Sequence, residues 1–166
     1  MKSLAFTLKV CPVVTLVTIG LCYLTQAVAG WCGIDLPDQQ NVEIVRSWMT
    51  NAFASWRNFS IVTILVLQIL VLMPVVEELL FRGLLFKVAC KVARKRLFDY
   101  LIVAFSSALF SSAHYVQQPW PDSAFLALFF FGVSQCWIYR KTDCIWCVML
   151  NHALFNLTNL VLLLLV

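Results

Sequence analysis

The decapeptide Pro74-Val75-Val76-Glu77-Glu78-Leu79-Leu80-Phe81-Arg82-Gly83 sets two adjacent carboxylates and a guanidinium in an otherwise apolar run. An ionisable side chain at membrane depth costs about 2.5–3.5 kcal/mol on insertion scales, so such residues are functional candidates by default. Glu78 and Arg82 are four apart with the acid first, the favoured orientation for a helical ion pair. Glu77 points about 100° away round the helix and has no local partner, which suits a general acid or base. The two histidines also fall in apolar runs: His114 follows Phe110 by four residues, and His152 precedes Asn156 by four, with Asn159 extending that stripe. A carboxylate, two imidazoles and an amide suit water activation and stabilisation of a tetrahedral oxyanion, the chemistry of amide hydrolysis. Glu77, His114 and His152 would equally make a zinc triad. A polar knot that only cements helix packing is the plainer alternative, but packing needs no unpaired second acid.

Other chemistries find no support. There is no His-Glu-x-x-His helix, no Gly-x-Asp pair and no recognisable Ser–His nucleophile. Ser106, Ser107, Ser111 and Ser112 are read as helix–helix contacts.

The elements that must position these residues follow from composition. The 166 residues are 62% hydrophobic and 12% charged, with mean hydropathy +0.89. A water-soluble domain is nearer 45–50% apolar and about 25% charged, so we expect an all-α, polytopic transmembrane bundle of four to five spans, one integral-membrane domain over 1–166. The first span is expected over 5–29. Its Ala27-Val28-Ala29 end also resembles a signal-peptide cleavage site, so a cleaved leader is the alternative. An interfacial amphipathic helix is expected from Asn41 to Trp56, on the spacing of Val42, Val45, Trp48, Met49 and Phe53; a surface loop is the alternative. Further spans are expected over Phe59–Phe86, Asp99–Tyr115, Ser123–Tyr139 and Cys144–Val166, with a turn at Gln117–Asp122 and a kink or unwinding at Pro74.

The loops at 87–98 and 140–143 carry five and two Lys/Arg, against two and none at 30–58 and 116–122. The amino terminus is therefore expected in the cytoplasm and the carboxyl end outside. The net charge of +4 lies in these flanks and is no sign of nucleic-acid binding. Seven cysteines form no regular framework, and the lone Cys144-Ile-Trp-Cys147 is read as non-functional.

Glu77-Glu78-x-x-x-Arg82, Phe110-x-x-x-His114 and His152-x-x-x-Asn156, in that order on three apolar spans, resemble the CPBP family, the CAAX protease and bacteriocin-processing (Abi) proteins that include Rce1-type prenyl-protein endopeptidases. The similarity covers about residues 70–160 and extends to Phe81-Arg82-Gly83 and Tyr139-Arg140. The resemblance implies an intramembrane endopeptidase in which Glu77 activates water with His114. It implies that Glu78 holds the helix through Arg82, and that Phe110 contacts substrate. His152 and Asn156 would stabilise the oxyanion or, in the metalloprotease description, help bind zinc. The implied partners are a membrane-associated protein or peptide substrate and the lipid bilayer, in a bacterial inner membrane. A non-catalytic interaction or bacteriocin-immunity protein of the same fold is the alternative, and a proton relay through Glu77, His114 and His152 is a third. Straight spans would leave His114 too far outward, so the third span must begin deeper or the Gln117–Asp122 turn must be drawn inward.

Overall fold

Long apolar runs in lipid must satisfy their backbone groups internally, and this chain does so with helices alone. The computed structural model describes residues 2–37, 40–92, 96–115 and 122–165, with no strand among them. Residues 117–121 of the expected turn and 93–95 of the basic loop lie outside the described residues. The helices are α1 (Lys2–Trp31), α2 (Gln40–Thr50), α3 (Trp56–Cys90), α4 (Arg96–Ala113), α5 (Phe125–Thr142) and α6 (Ile145–Leu165). By length and composition α1, α3 and α6 can cross a membrane, and Phe98–Ala113 is a shorter apolar helix. The four-to-five-span expectation thus resolves into three long apolar helices, one shorter one, and α5, which is of a different kind.

α5 is the enclosed helix. It packs against α4, α1 and α6, and its buried residues, Ala127, Phe131, Gly132, Ser134, Gln135, Cys136, Ile138 and Tyr139, cover about half of its circumference, with Leu126 and Trp137 on the open side. A helix face shielded from lipid can carry polar groups, provided neighbours satisfy them. The outer helices instead turn Leu16, Leu24, Ile64, Leu67, Val71, Leu101 and Leu165 outward.

Lipid offers little hydrophobic drive for helix association, so close packing and hydrogen bonds must supply it. A Cβ at Gly132 would lie 3.0 Å from both Cα and Cβ of Ser107, so only glycine lets α5 approach α4 this closely. Ser111 Oγ donates to the Phe125 carbonyl at 2.8 Å across the same seam. α1 lies against α5 and α6 through a stripe of Thr7, Cys11, Val14, Thr15 and Thr18. Asp143 closes α5 in the left-handed region (φ 47°), its N–H bonding the Tyr139 carbonyl at 2.7 Å, so the chain reverses into α6 within two residues. α2 forms within the expected amphipathic segment but ends at Thr50; a short 3-10 turn, Ala52–Ala54, follows, and Ser55 Oγ caps α3 by accepting the Asn58 N–H.

α3 widens into π register twice. It is α-helical over Trp56–Leu67, π-helical over Gln68–Leu72, α-helical over Met73–Glu78 and π-helical again over Leu79–Phe86. The expected break at Pro74 is therefore taken up as a wide turn. In π register Met73 N–H bonds the Gln68 carbonyl, and the next carbonyl, Ile69, would need an N–H from Pro74, which has none. Asn156 Nδ2 on α6 donates to that carbonyl at 2.8 Å.

Arg140 of the 140–143 flank is held at one end of the bundle. Phe6 packs on Trp137 at 5.3 Å between centroids, Arg140 pairs with Asp99 at 3.5 Å, and the Arg140 guanidinium lies 5.2 Å above the Phe86 ring. Cys22 and Ser123 meet at the other end, 3.5 Å apart.

Candidate active site

The turn of α3 that follows Pro74 delivers Glu77, Glu78 and, across the π segment, Arg82. Glu78 and Arg82 are both fully buried, with Arg82 Nη1 3.2 Å from Glu78 Oε1. The expected ion pair is present, but it is not self-contained. Arg82 Nη2 also donates to the Gly132 carbonyl at 3.0 Å, and the guanidinium lies 4.6 Å over the Phe110 ring. Phe110 is itself fully buried and stacks edge-on to Phe81. Glu78 Oε1 takes two further donors: Gln135 Nε2 at 3.2 Å and His152 Nδ1 at 2.8 Å.

His152 joins the two acids. Its Nδ1 meets Glu78, and its Nε2 faces Glu77 Oε2 at 3.7 Å. Glu77 therefore has the partner that spacing along one helix could not supply, and Glu78 is not merely a clamp for Arg82. The two acids also differ in access, since the Glu77 side chain is 17% exposed and that of Glu78 is 0%. Glu77 Oε2 accepts no hydrogen bond among the described residues.

His114 sits just past the end of α4. Its Nδ1 lies 2.9 Å from the Phe110 carbonyl, and its ring packs on Phe110 at 4.9 Å between centroids. The Phe110 ring also meets His152, at 5.9 Å. One aromatic residue thus lies between both imidazoles and the Arg82 cation, so the three motifs converge on Phe110. Asn156 stands one turn beyond His152, with its amide committed to Ile69. Asn159 caps back onto Phe155 and joins nothing in the site.

Two contributors were legible only as stray polar residues. Gln135 is fully buried on α5, and Asn151, next to His152, donates Nδ2 to Gln135 Oε1 at 3.0 Å. The cost of an amide in hydrocarbon flags both, yet nothing in the spacing says which acid they serve. Among the described residues no three His, Cys, Asp or Glu side chains are arranged to hold a metal ion. The expectation that Glu77, His114 and His152 bind zinc is put to the chelator test below, and no step there runs through a metal.

Ionisable and amide groups enclosed among apolar helices, three of them long enough to cross a membrane, define an integral membrane protein with a buried polar centre. The family model described as type II CAAX prenyl endopeptidase Rce1-like matches residues 58–158. The chain belongs to that family, and its function is of the intramembrane-protease kind. The matched segment begins in α3, ends in α6 and holds every residue of the cluster. No curated protein and no solved structure matches the chain.

Proposed function

We propose that the protein is an intramembrane endopeptidase that hydrolyses a peptide bond in a membrane-associated protein or peptide, with Glu77 as general base. The observation that carries this is the placement of His152 between two carboxylates, 2.8 Å from the buried Glu78 and 3.7 Å from the accessible Glu77. Glu77 and Glu78 against Arg82 leave one negative charge, and the proton taken from water, once held between Glu77 and His152, makes the cluster neutral, as an apolar surround favours.

In this mechanism the Glu77 carboxylate takes a proton from water, and the hydroxide oxygen bonds to the scissile carbonyl carbon. The oxyanion that forms accepts a hydrogen bond from an amide N–H of Asn156, while His152, its Nδ1–H held by Glu78, turns Nε2 toward Glu77 and shares the proton that Glu77 has taken. The proton on Glu77 passes to the departing amide nitrogen as the C–N bond breaks, which releases an amine and a carboxylic acid. His114, beside Phe110, is the second group assigned to the water, and Phe110, expected to contact substrate, is fully buried and instead holds the two imidazoles and Arg82 together. Asn156 spends one amide N–H on Ile69 and keeps a second for the oxyanion. The basic ends are assigned to the cytoplasm, in a bacterial inner membrane, on the positive-inside rule.

The test is cleavage of membrane-anchored peptides by the purified protein in nanodiscs, wild type against Glu77→Ala, with and without chelator. Wild type should cleave in chelator, and Glu77→Ala should not cleave at all. Cleavage by Glu77→Ala would sink the proposal, and loss in chelator would return the zinc description.

A further inference from the structure

Gln135 touches neither Glu77 nor the space beside it, yet it holds the parts that do. Its Nε2 donates to Glu78 Oε1 at 3.2 Å and to the Val148 carbonyl at 3.3 Å, and its Oε1 accepts from Asn151 Nδ2 at 3.0 Å. Val148 lies one helical turn before His152, and Asn151 immediately before it. The amide therefore grips the turn of α6 that carries His152 at two points and grips Glu78 on α3 at a third. One turn earlier on the same face of α5, the Gly132 carbonyl accepts from Arg82 Nη2 at 3.0 Å. α5 thus bonds both members of the α3 ion pair, the cation with a carbonyl and the anion with an amide.

We infer that Gln135 is a positioning residue that fixes Glu78 against His152, so that the imidazole donates through Nδ1 and keeps Nε2 toward Glu77. The inference rests on Glu77 and His152 being the reactive pair. Glu78 Oε1 is shared by Arg82 Nη1, Gln135 Nε2 and His152 Nδ1. Arg82 sits on the same helix as Glu78 and moves with it. Gln135 is the donor that ties the carboxylate to α5 and, through Asn151 and Val148, to the histidine's own helix. Without it the carboxylate can turn about its side chain, and the imidazole can exchange tautomers. The amide is fully buried, and its Nε2 and Oε1 are both used. A glutamine kept only to join α5 to α6 would need the Val148 and Asn151 contacts but not the one to Glu78.

The chain has only two histidines, so imidazole nitrogen-15 spectra of the full-length protein in nanodiscs read His152 directly, with His114→Gln assigning the other ring. In wild type, His152 Nδ1 should carry the hydrogen-bonded proton. In Gln135→Met, close in size but without a donor, the Nδ1 and Nε2 resonances should move toward each other as tautomers exchange. On cleaved peptide, kcat should fall about tenfold or more while KM stays within about twofold. Unchanged His152 resonances in a folded Gln135→Met would overturn the inference. Should that variant not fold, Asn151→Leu removes the amide's anchor without touching Glu78; it should give the same convergence, and an unchanged spectrum there overturns the inference equally. The spectra need no turnover, so a wild type that cleaves nothing sinks the peptidase proposal while the nitrogen resonances still decide the role of Gln135.

Discussion

His152 Nδ1 stands 2.8 Å from Glu78 Oε1, closer than the Arg82 guanidinium at 3.2 Å on the same oxygen. The helical ion pair of α3 is therefore also the seat of a histidine from α6, and one carboxylate oxygen joins folding to chemistry. Glu77, one residue earlier, has neither burial nor a hydrogen bond to match.

That difference separates the two acids by experiment. Glu77→Gln should lower kcat/KM by roughly 10²–10⁴. Its thermal unfolding in detergent should stay within about 1 kcal/mol of wild type, because the side chain is partly exposed and Oε2 holds no hydrogen bond. An equal loss of stability would mark Glu77 as structural.

Glu78→Leu should destabilise the fold by about 3–5 kcal/mol, because Arg82 is left as an uncompensated buried charge. Adding Arg82→Met should restore most of that stability, since a buried pair replaced by apolar groups is often neutral. Cleavage should not return with it, because His152 Nδ1 still lacks its acceptor. Unfolding midpoints and turnover of the single and double variants check both halves.

Gly132→Ala should cost about 1–3 kcal/mol through overpacking. The new methyl meets Ser107 backbone at 3.0 Å, which cannot swing aside as a flexible side chain could. The same shift should loosen the Arg82 bond to the Gly132 carbonyl and lower activity. Thermal unfolding with a cleavage assay on the same sample measures both.

Asn156→Leu should cost about 1–3 kcal/mol, as the Ile69 carbonyl loses its donor. Pro74→Ala in that background should recover part of the loss by giving the helix back an N–H. The two changes should therefore be non-additive by about 1 kcal/mol in a double-mutant cycle. Strict additivity would show that Asn156 does not answer for the proline.

Much of this was legible from residues alone. Apolar length and the small charged fraction imply helices in a membrane, because no other arrangement satisfies the backbone of Phe59–Phe86 or Cys144–Val166 in lipid. The spacing of Glu78 and Arg82 implies their pair, since a helix brings residues four apart together whatever surrounds it. Three polar motifs on apolar runs were enough to suggest a shared site and a protease family, and the match over residues 58–158 bears out the family. Helix ends moved by a few residues: the expected Ser123–Tyr139 span became Phe125–Thr142, because Asp122 is spent accepting the Ala124 N–H, and the left-handed Asp143 closes the other end.

What only the tertiary structure decided is the partnership between helices. Nothing local tells Glu78 that it receives His152 from 74 residues away or Gln135 from 57. Nothing local tells Asn156 that its amide answers a carbonyl freed by Pro74, 87 residues from Ile69 to its donor. A helix dictates its own i,i+4 neighbours, but which faces meet depends on how closely two helices can approach. Here that rests on Gly132 against Ser107, and it turns a row of polar residues on separate helices into one cluster.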